Sequence, residues 1–100
     1  MSMLETLETI IAQRHSQPSA ASYTSQLFAA GSSKIAQKVG EEAVEVIVAA
    51  LSQSRTDQVN ELADLFFHTL VLMRQLGISL DEVNAELERR HVKRQEPSHE

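Results

Sequence analysis

Apolar residues recur at three- and four-residue intervals through most of the chain, the period of helices with one buried side. The first run, Leu4, Leu7, Ile10 and Ile11, follows Ser2 and Glu5, an S-x-x-E capping box that opens a helix. Gln17-Pro18-Ser19 breaks that helix. A short helical segment from about Tyr23 to Ala30 ends at Gly31, and Ser32 or Ser33 caps a long helix running to about Leu51. Ser52 to Thr56 reads as a polar turn, and a second long helix runs from about Asp57 to Leu76. Gly77 suits a left-handed C-cap there, with Ile78 placed to fold back onto Met73. Ser79-Leu80-Asp81-Glu82 is another capping box, and it opens a last helix carrying Leu80, Val83 and Leu87 that turns basic at Arg89-Arg90. The pattern predicts an all-α, four- to five-helix bundle, with residues 1–94 as one domain and residues 95–100 as a polar tail.

The stretch from Leu62 to Met73 departs from a one-sided pattern. Leu65, Phe66, Phe67, Leu70, Val71, Leu72 and Met73 surround the whole helix, which marks it as buried. A chain of 100 residues can cover one long side of such a helix. Leaving the remainder in water forgoes ~1.5–3 kcal/mol per large side chain, so a homodimer is expected, with C2 symmetry the commonest solution.

Composition narrows the class. With only 3 Gly and 2 Pro the chain lacks the breakers of a turn-rich β fold, and without Cys it has neither disulfides nor thiolate chemistry. The formal net charge of −5 argues against non-specific nucleic-acid binding. The most apolar stretch contains Asp64 and His68 and is too short to span a bilayer, and the start carries Glu5 and Glu8 rather than a secretory signal. A cytoplasmic protein, without membrane or nucleic-acid partners, is expected.

Candidate chemistry lies on the two long helices. At about 100° per residue, Lys34, Lys38, Glu41, Glu42 and Glu45 share one stripe, basic in its first half and acidic in its second. Ile35, Val39, Ala43, Val46, Ile47 and Ala50 are assigned to the opposite side. On the next helix Asp57, Glu61, Asp64 and His68 follow at spacings of 4, 3 and 4. If the helices are antiparallel, Glu41, Glu42, Glu45, Glu61 and Asp64 face one another, a cluster that repels itself unless cations sit in it. Oxygen-only donors suit Mg2+ or Mn2+, and Lys34 and Lys38 lie where phosphate oxygens would be bound. The alternative is a solvated Lys/Glu face, against which stand the like-charged i,i+4 pairs Lys34–Lys38 and Glu41–Glu45. A di-iron bundle wants Glu-x-x-His, which neither long helix carries.

These residues resemble a known pattern. Glu41-Glu42-x-x-Glu45, a gap of 15 residues, then Glu61-x-x-Asp64 is similar to the metal motif of the all-α nucleoside triphosphate pyrophosphatase superfamily. With Ser22-Tyr23-Thr24, Leu27-Phe28, Gly31, Lys34-Ile35, Lys38-Val39-Gly40 and the run from Asp64-Leu65 through His68 to Leu72, the chain is most similar within it to the phosphoribosyl-ATP pyrophosphatase family. The resemblance extends from about Leu4 to Lys93; Phe67 stands where a Tyr is more often expected. It implies hydrolysis of phosphoribosyl-ATP to phosphoribosyl-AMP and pyrophosphate in histidine biosynthesis, dependence on Mg2+ and a homodimer. With one domain, a monofunctional chain is expected. On that resemblance Glu41, Glu42, Glu45 and Asp64 hold the metal with Glu61 beside them, and Lys34, Lys38, Tyr23 and Arg90 are candidates for substrate contact.

Several roles stay open. Tyr23 suits stacking on a base or ribose, a bond to phosphate, or plain packing. His68 suits orienting a water or substrate, or service as a satisfied polar residue of the bundle. Arg89, Arg90, Lys93 and Arg94 complement the negative end of the last helix, and one of them could reach a phosphate, in the partner's site as well as its own. Gly40 costs ~1 kcal/mol inside a helix compared with Ala, which a close helix crossing or a nearby ligand would explain. A house-cleaning nucleoside triphosphate hydrolase shares the carboxylates, and a non-catalytic helical dimer module would use them as a solvated face.

Overall fold

The computed structural model describes residues 2–94, so the expected polar tail, 95–100, lies outside the described residues. Among the described residues there are five helices and no strand: α1 Met3–Ser16, α2 Tyr23–Ala30, α3 Ser32–Ser52, α4 Arg55–Leu76 and α5 Leu80–Arg94. The expected all-α bundle is what forms.

The local signals account for most boundaries. At the start of α1, Ser2 Oγ accepts from the Glu5 N–H at 3.3 Å while the Ser2 N–H donates to the Glu5 carboxylate at 2.9 Å, the reciprocal capping box. Ser54 caps α4 by accepting from the Asp57 N–H at 3.2 Å, so the helix begins two residues ahead of the expected start. Gly77 is left-handed at φ 72°, and the Ile78 N–H returns to the Met73 carbonyl at 2.9 Å, as the spacing predicted. The expected cap of α3 is corrected. Neither Ser32 nor Ser33 caps it; Gly31, at φ 96°, ends α2 and begins α3 within a single residue, which leaves no room for a serine cap.

α3 and α4 pack along each other as the central hairpin. Gln58 secures its turn, donating to the carbonyls of Ala49 at 3.1 Å and Gln53 at 3.2 Å. α1 packs on α4, and α2 bridges α1 and α3. These helices meet around Ile11, Leu27, Ile35, Leu70 and Val71, with Phe28, Phe67 and Met73 against them. The core therefore sits at the open end of the hairpin. Its loop end is bare: Val44, Ile47, Val48 and Leu51 of α3, and Val59, Leu62 and Phe66 of α4, are exposed.

Two expectations change here. Ile47 and Ala50 do not lie on the packed side of α3; Ala49 is the buried residue instead, on the side where Gln58 of α4 reaches its carbonyl. Likewise α4 is buried on one side only, and the other side of its first half faces solvent. α5 packs along none of the other helices and is anchored at its first turn, where the Leu80 N–H donates to the Glu8 carboxylate at 2.8 Å.

Candidate active site

The carboxylates of the two long helices come together on the α3–α4 face. Glu42 is the buried member, 7% exposed, and its Oε2 has no hydrogen-bond partner. The neighbouring Glu45 carboxyl lies close to it. That contact, with burial and the charges of Glu45 and Asp64, pushes the Glu42 carboxyl up to about 7 against the opposing pull of Lys38. Glu61 is also raised, by desolvation first and then by Glu45, Asp64 and Asp57. Glu42, Glu45, Glu61 and Asp64 thus repel one another across the helix interface.

The basic half of the stripe lies beside them. Lys38 Nζ is 3.5 Å from Glu41 Oε1 and 3.9 Å from Glu42 Oε1. Burial lowers the Lys38 pKa, but Tyr23, Glu42 and Glu41 together outweigh it and leave the ammonium firmly charged. Glu41 stands at the edge. Gln37 donates to it at 2.8 Å, and that bond, with Lys38 and Lys34, holds its carboxyl below the usual range despite some desolvation.

α2 carries Tyr23 to the same face. Ser22 caps the helix by accepting from the Ser25 N–H at 3.2 Å, and buried Ser25 ties it to α1 through a 3.0 Å bond to the Arg14 carbonyl. Tyr23 Oη lies 2.9 Å from His68 Nε2, and His68 Nδ1 lies 2.7 Å from the Asp64 carbonyl oxygen. His68 is therefore a satisfied polar residue of the bundle, joined at both ring nitrogens. Phe67 stacks on Tyr23, with centroids 6.1 Å apart, so the phenyl ring serves in packing at this position.

Residues 4–91 match the family model of phosphoribosyl-ATP pyrophosphohydrolase. The chain belongs to that family. It is 54% identical over 88 residues to the phosphoribosyl-ATP pyrophosphatase of Metallosphaera sedula, covering 88% of this chain and 95% of that protein. To the phosphoribosyl-ATP pyrophosphatase of Pyrobaculum aerophilum it is 53% identical over 88 residues, covering 88% and 94%. It is also 45% identical over 85 residues, 85% of this chain, to the histidine biosynthesis bifunctional protein HisIE of Oceanobacillus iheyensis, 40% of whose length it spans.

Within this pyrophosphohydrolase fold the predicted site residues fall into three groups. Glu42, Glu45, Glu61 and Asp64 are neighbours, with Lys38 and Tyr23 beside them. Glu41 and Lys34 flank the group on the exposed side of α3. Arg90 is not brought to it within the chain: with Arg89 it pairs to Glu86 on the projecting α5, at 2.9 Å from Arg90 Nε. The intrachain reason offered for Gly40 also fails, since a Cβ there would meet nothing within 4 Å. A hollow of about 390 Å3 lies between α1 and the α4–α5 junction, lined by Glu8, Leu70, Arg74 and Ser79, away from the carboxylates.

The donor set fits a hard divalent cation. It is made of carboxylates only, and one of its oxygens, Glu42 Oε2, is buried without a hydrogen-bond partner. Among the described residues no three acids or histidines are gathered closely enough to form a ligand set. Ser25 and the Tyr23–His68 bond escaped the sequence reading. Each joins residues of different helices, and only the packing of α1, α2 and α4 brings them within reach.

Proposed function

We propose that the chain hydrolyses phosphoribosyl-ATP to phosphoribosyl-AMP and pyrophosphate in histidine biosynthesis, using Mg2+, with Mn2+ as a substitute. The observation that carries the reaction class is Glu42: a buried carboxylate with an unpaired oxygen, crowded by Glu45 and Asp64 and flanked by Lys38. Such self-repulsion is relieved by positive charge, which the residues named here would hold through Glu41, Glu42, Glu45 and Asp64. A divalent cation there supplies charge neutralisation on the scissile phosphoanhydride and a lower pKa for the attacking water. Lys34 and Lys38 bind the polyphosphate oxygens. Glu61, raised and next to the cluster, is suited to take a proton from water. No helix among the described residues is long and apolar enough to cross a membrane; a cytoplasmic location is part of the proposal, in keeping with a nucleotide substrate.

The working unit we propose is a homodimer. The radius of gyration is 15.8 Å, against ~13 Å for a compact domain of this length, and the long axis reaches 53 Å. Gly40, Val44, Ile47 and Leu51 follow at spacings of 4, 3 and 4 along the exposed side of α3, beside the exposed Leu62 and Phe66 of α4. A second copy on this surface would cover the bare end of the hairpin and account for Gly40 as the point of closest crossing. It could also bring a basic residue of its own projecting α5, such as Arg90, toward the site.

A substrate panel tests the reading. Pyrophosphate release from phosphoribosyl-ATP should exceed release from ATP, dATP and the other ordinary triphosphates by at least about a hundredfold in kcat/KM. Equal turnover across the panel would favour the house-cleaning hydrolase.

A further inference from the structure

Tyr23 is half exposed at the rim of the site, and its hydroxyl is joined to a histidine that is only 6% exposed. The direction of that bond follows from the other ring nitrogen. A backbone carbonyl only accepts, so the 2.7 Å contact with the Asp64 oxygen places a proton on His68 Nδ1. In the neutral ring this leaves a lone pair on Nε2, and the phenol donates across the 2.9 Å contact. The single proton of Tyr23 is thus committed inward. Its ring lies near two rings of α4, roughly parallel to Phe67 and edge-on to His68. What the hydroxyl offers outward is lone pairs alone.

A phosphate group also offers lone pairs and negative charge, so it is a poor complement to this oxygen. A sugar hydroxyl, which can donate, is a good one. The neighbouring ammonium of Lys38, held charged, is the complement to the anionic part of a nucleotide. We propose that His68 is a positioning residue that fixes Tyr23 as a hydrogen-bond acceptor, and that the Tyr23 oxygen recognises a ribose hydroxyl of the nucleotide. This rests on the phosphoribosyl-ATP reading of the same site and divides its labour: Tyr23 reads sugar, the lysines and carboxylates read phosphate.

The test is a set of steady-state measurements on Tyr23→Phe, His68→Leu, His68→Gln and the double variant Tyr23→Phe/His68→Leu. Tyr23→Phe should raise KM about tenfold with kcat within about twofold, the mark of lost uniform binding. Its inhibition constant for inorganic pyrophosphate, which has no ribose, should not change. His68→Leu should shift KM likewise, and the double variant should be no worse than either single one. His68→Gln, whose side-chain oxygen can accept from the phenol, should recover most of the affinity. Substrate analogues lacking a 2′- or 3′-hydroxyl on either ribose should show one for which the unmodified protein and Tyr23→Phe bind equally. Pyrophosphate inhibition weakening in step with KM, or a fall in kcat at constant KM, would overturn the ribose assignment. Independently of turnover, the nitrogen-15 spectrum of His68 should show a protonated Nδ1 and a bare Nε2 that shifts in Tyr23→Phe; a proton on Nε2 would overturn the acceptor assignment. Absence of phosphoribosyl-ATP turnover by the unmodified protein would count against the functional reading, while this spectrum still decides the direction of the Tyr23–His68 bond.

Discussion

Lys38 Nζ stands 3.9 Å from Oε1 of Glu42, and the other oxygen of that buried carboxylate has no partner. One ammonium shared with Glu41 does not balance the Glu45 contact, the burial and the charges of Glu45 and Asp64, which together raise the Glu42 carboxyl to about 7. The sign of the linkage is fixed by that rise from 4.5. For the metal-free protein this group favours the fold fully below pH 4.5 and loses that contribution as pH climbs through 7. Thermal melts in chelator should therefore show a falling midpoint between pH 5.5 and 8, and Glu42→Gln should flatten the slope. Added Mg2+ should restore the midpoint most at the alkaline end, where Glu42 is ionised.

Glu42→Gln should also cost activity by roughly a hundredfold or more, because an amide oxygen neither neutralises a cation nor can be drawn into a carboxylate set. Stopped assays at saturating Mg2+ measure it. Circular dichroism matching the unmodified protein would separate this loss from misfolding.

Ser25 holds α2 in place. Its hydroxyl donates to the Arg14 carbonyl at 3.0 Å and accepts from the Ser19 N–H at 3.1 Å. Ser25→Ala leaves both groups unpaired near a buried position and should cost about 1–3 kcal/mol in urea unfolding at fixed protein concentration. Since α2 carries Tyr23, KM should rise in the same variant.

Gly40→Ala separates the single chain from the dimer. Within the chain the added methyl meets nothing and favours the helix by up to about 1 kcal/mol. A second copy crossing at Gly40 would be pushed away, so the dimer dissociation constant should rise roughly tenfold or more, corresponding to ~1.4 kcal/mol. Sedimentation equilibrium across a concentration series reads this directly. An unchanged dissociation constant would move the interface elsewhere on the bare hairpin end.

Much of this architecture was legible in local sequence. Capping residues such as Ser2 with Glu5, and Gly77 with Ile78, declare helix ends because their partners lie within a few residues. The acidic stripe was legible because helical periodicity puts Glu42 and Glu45, and Glu61 and Asp64, on common faces before any packing is known. What was not legible depends on contacts between distant helices. His15 carries no local signal, yet it stacks on Phe28 with centroids 4.2 Å apart and accepts from Arg74 Nε at 3.0 Å. The Tyr23–His68 bond spans 45 residues, and no periodicity announces it. The assignment of Ile47 to the packed side failed because apolar character does not say whether a side chain meets its own chain or another.

The most direct measurement is pyrophosphate release from phosphoribosyl-ATP by protein stripped with a chelator and then titrated with Mg2+. Carboxylates that repel one another across α3 and α4 and need a cation predict no release in chelator, recovery that saturates with Mg2+, and partial recovery with Mn2+. Release that continues undiminished with every divalent ion removed would contradict the account.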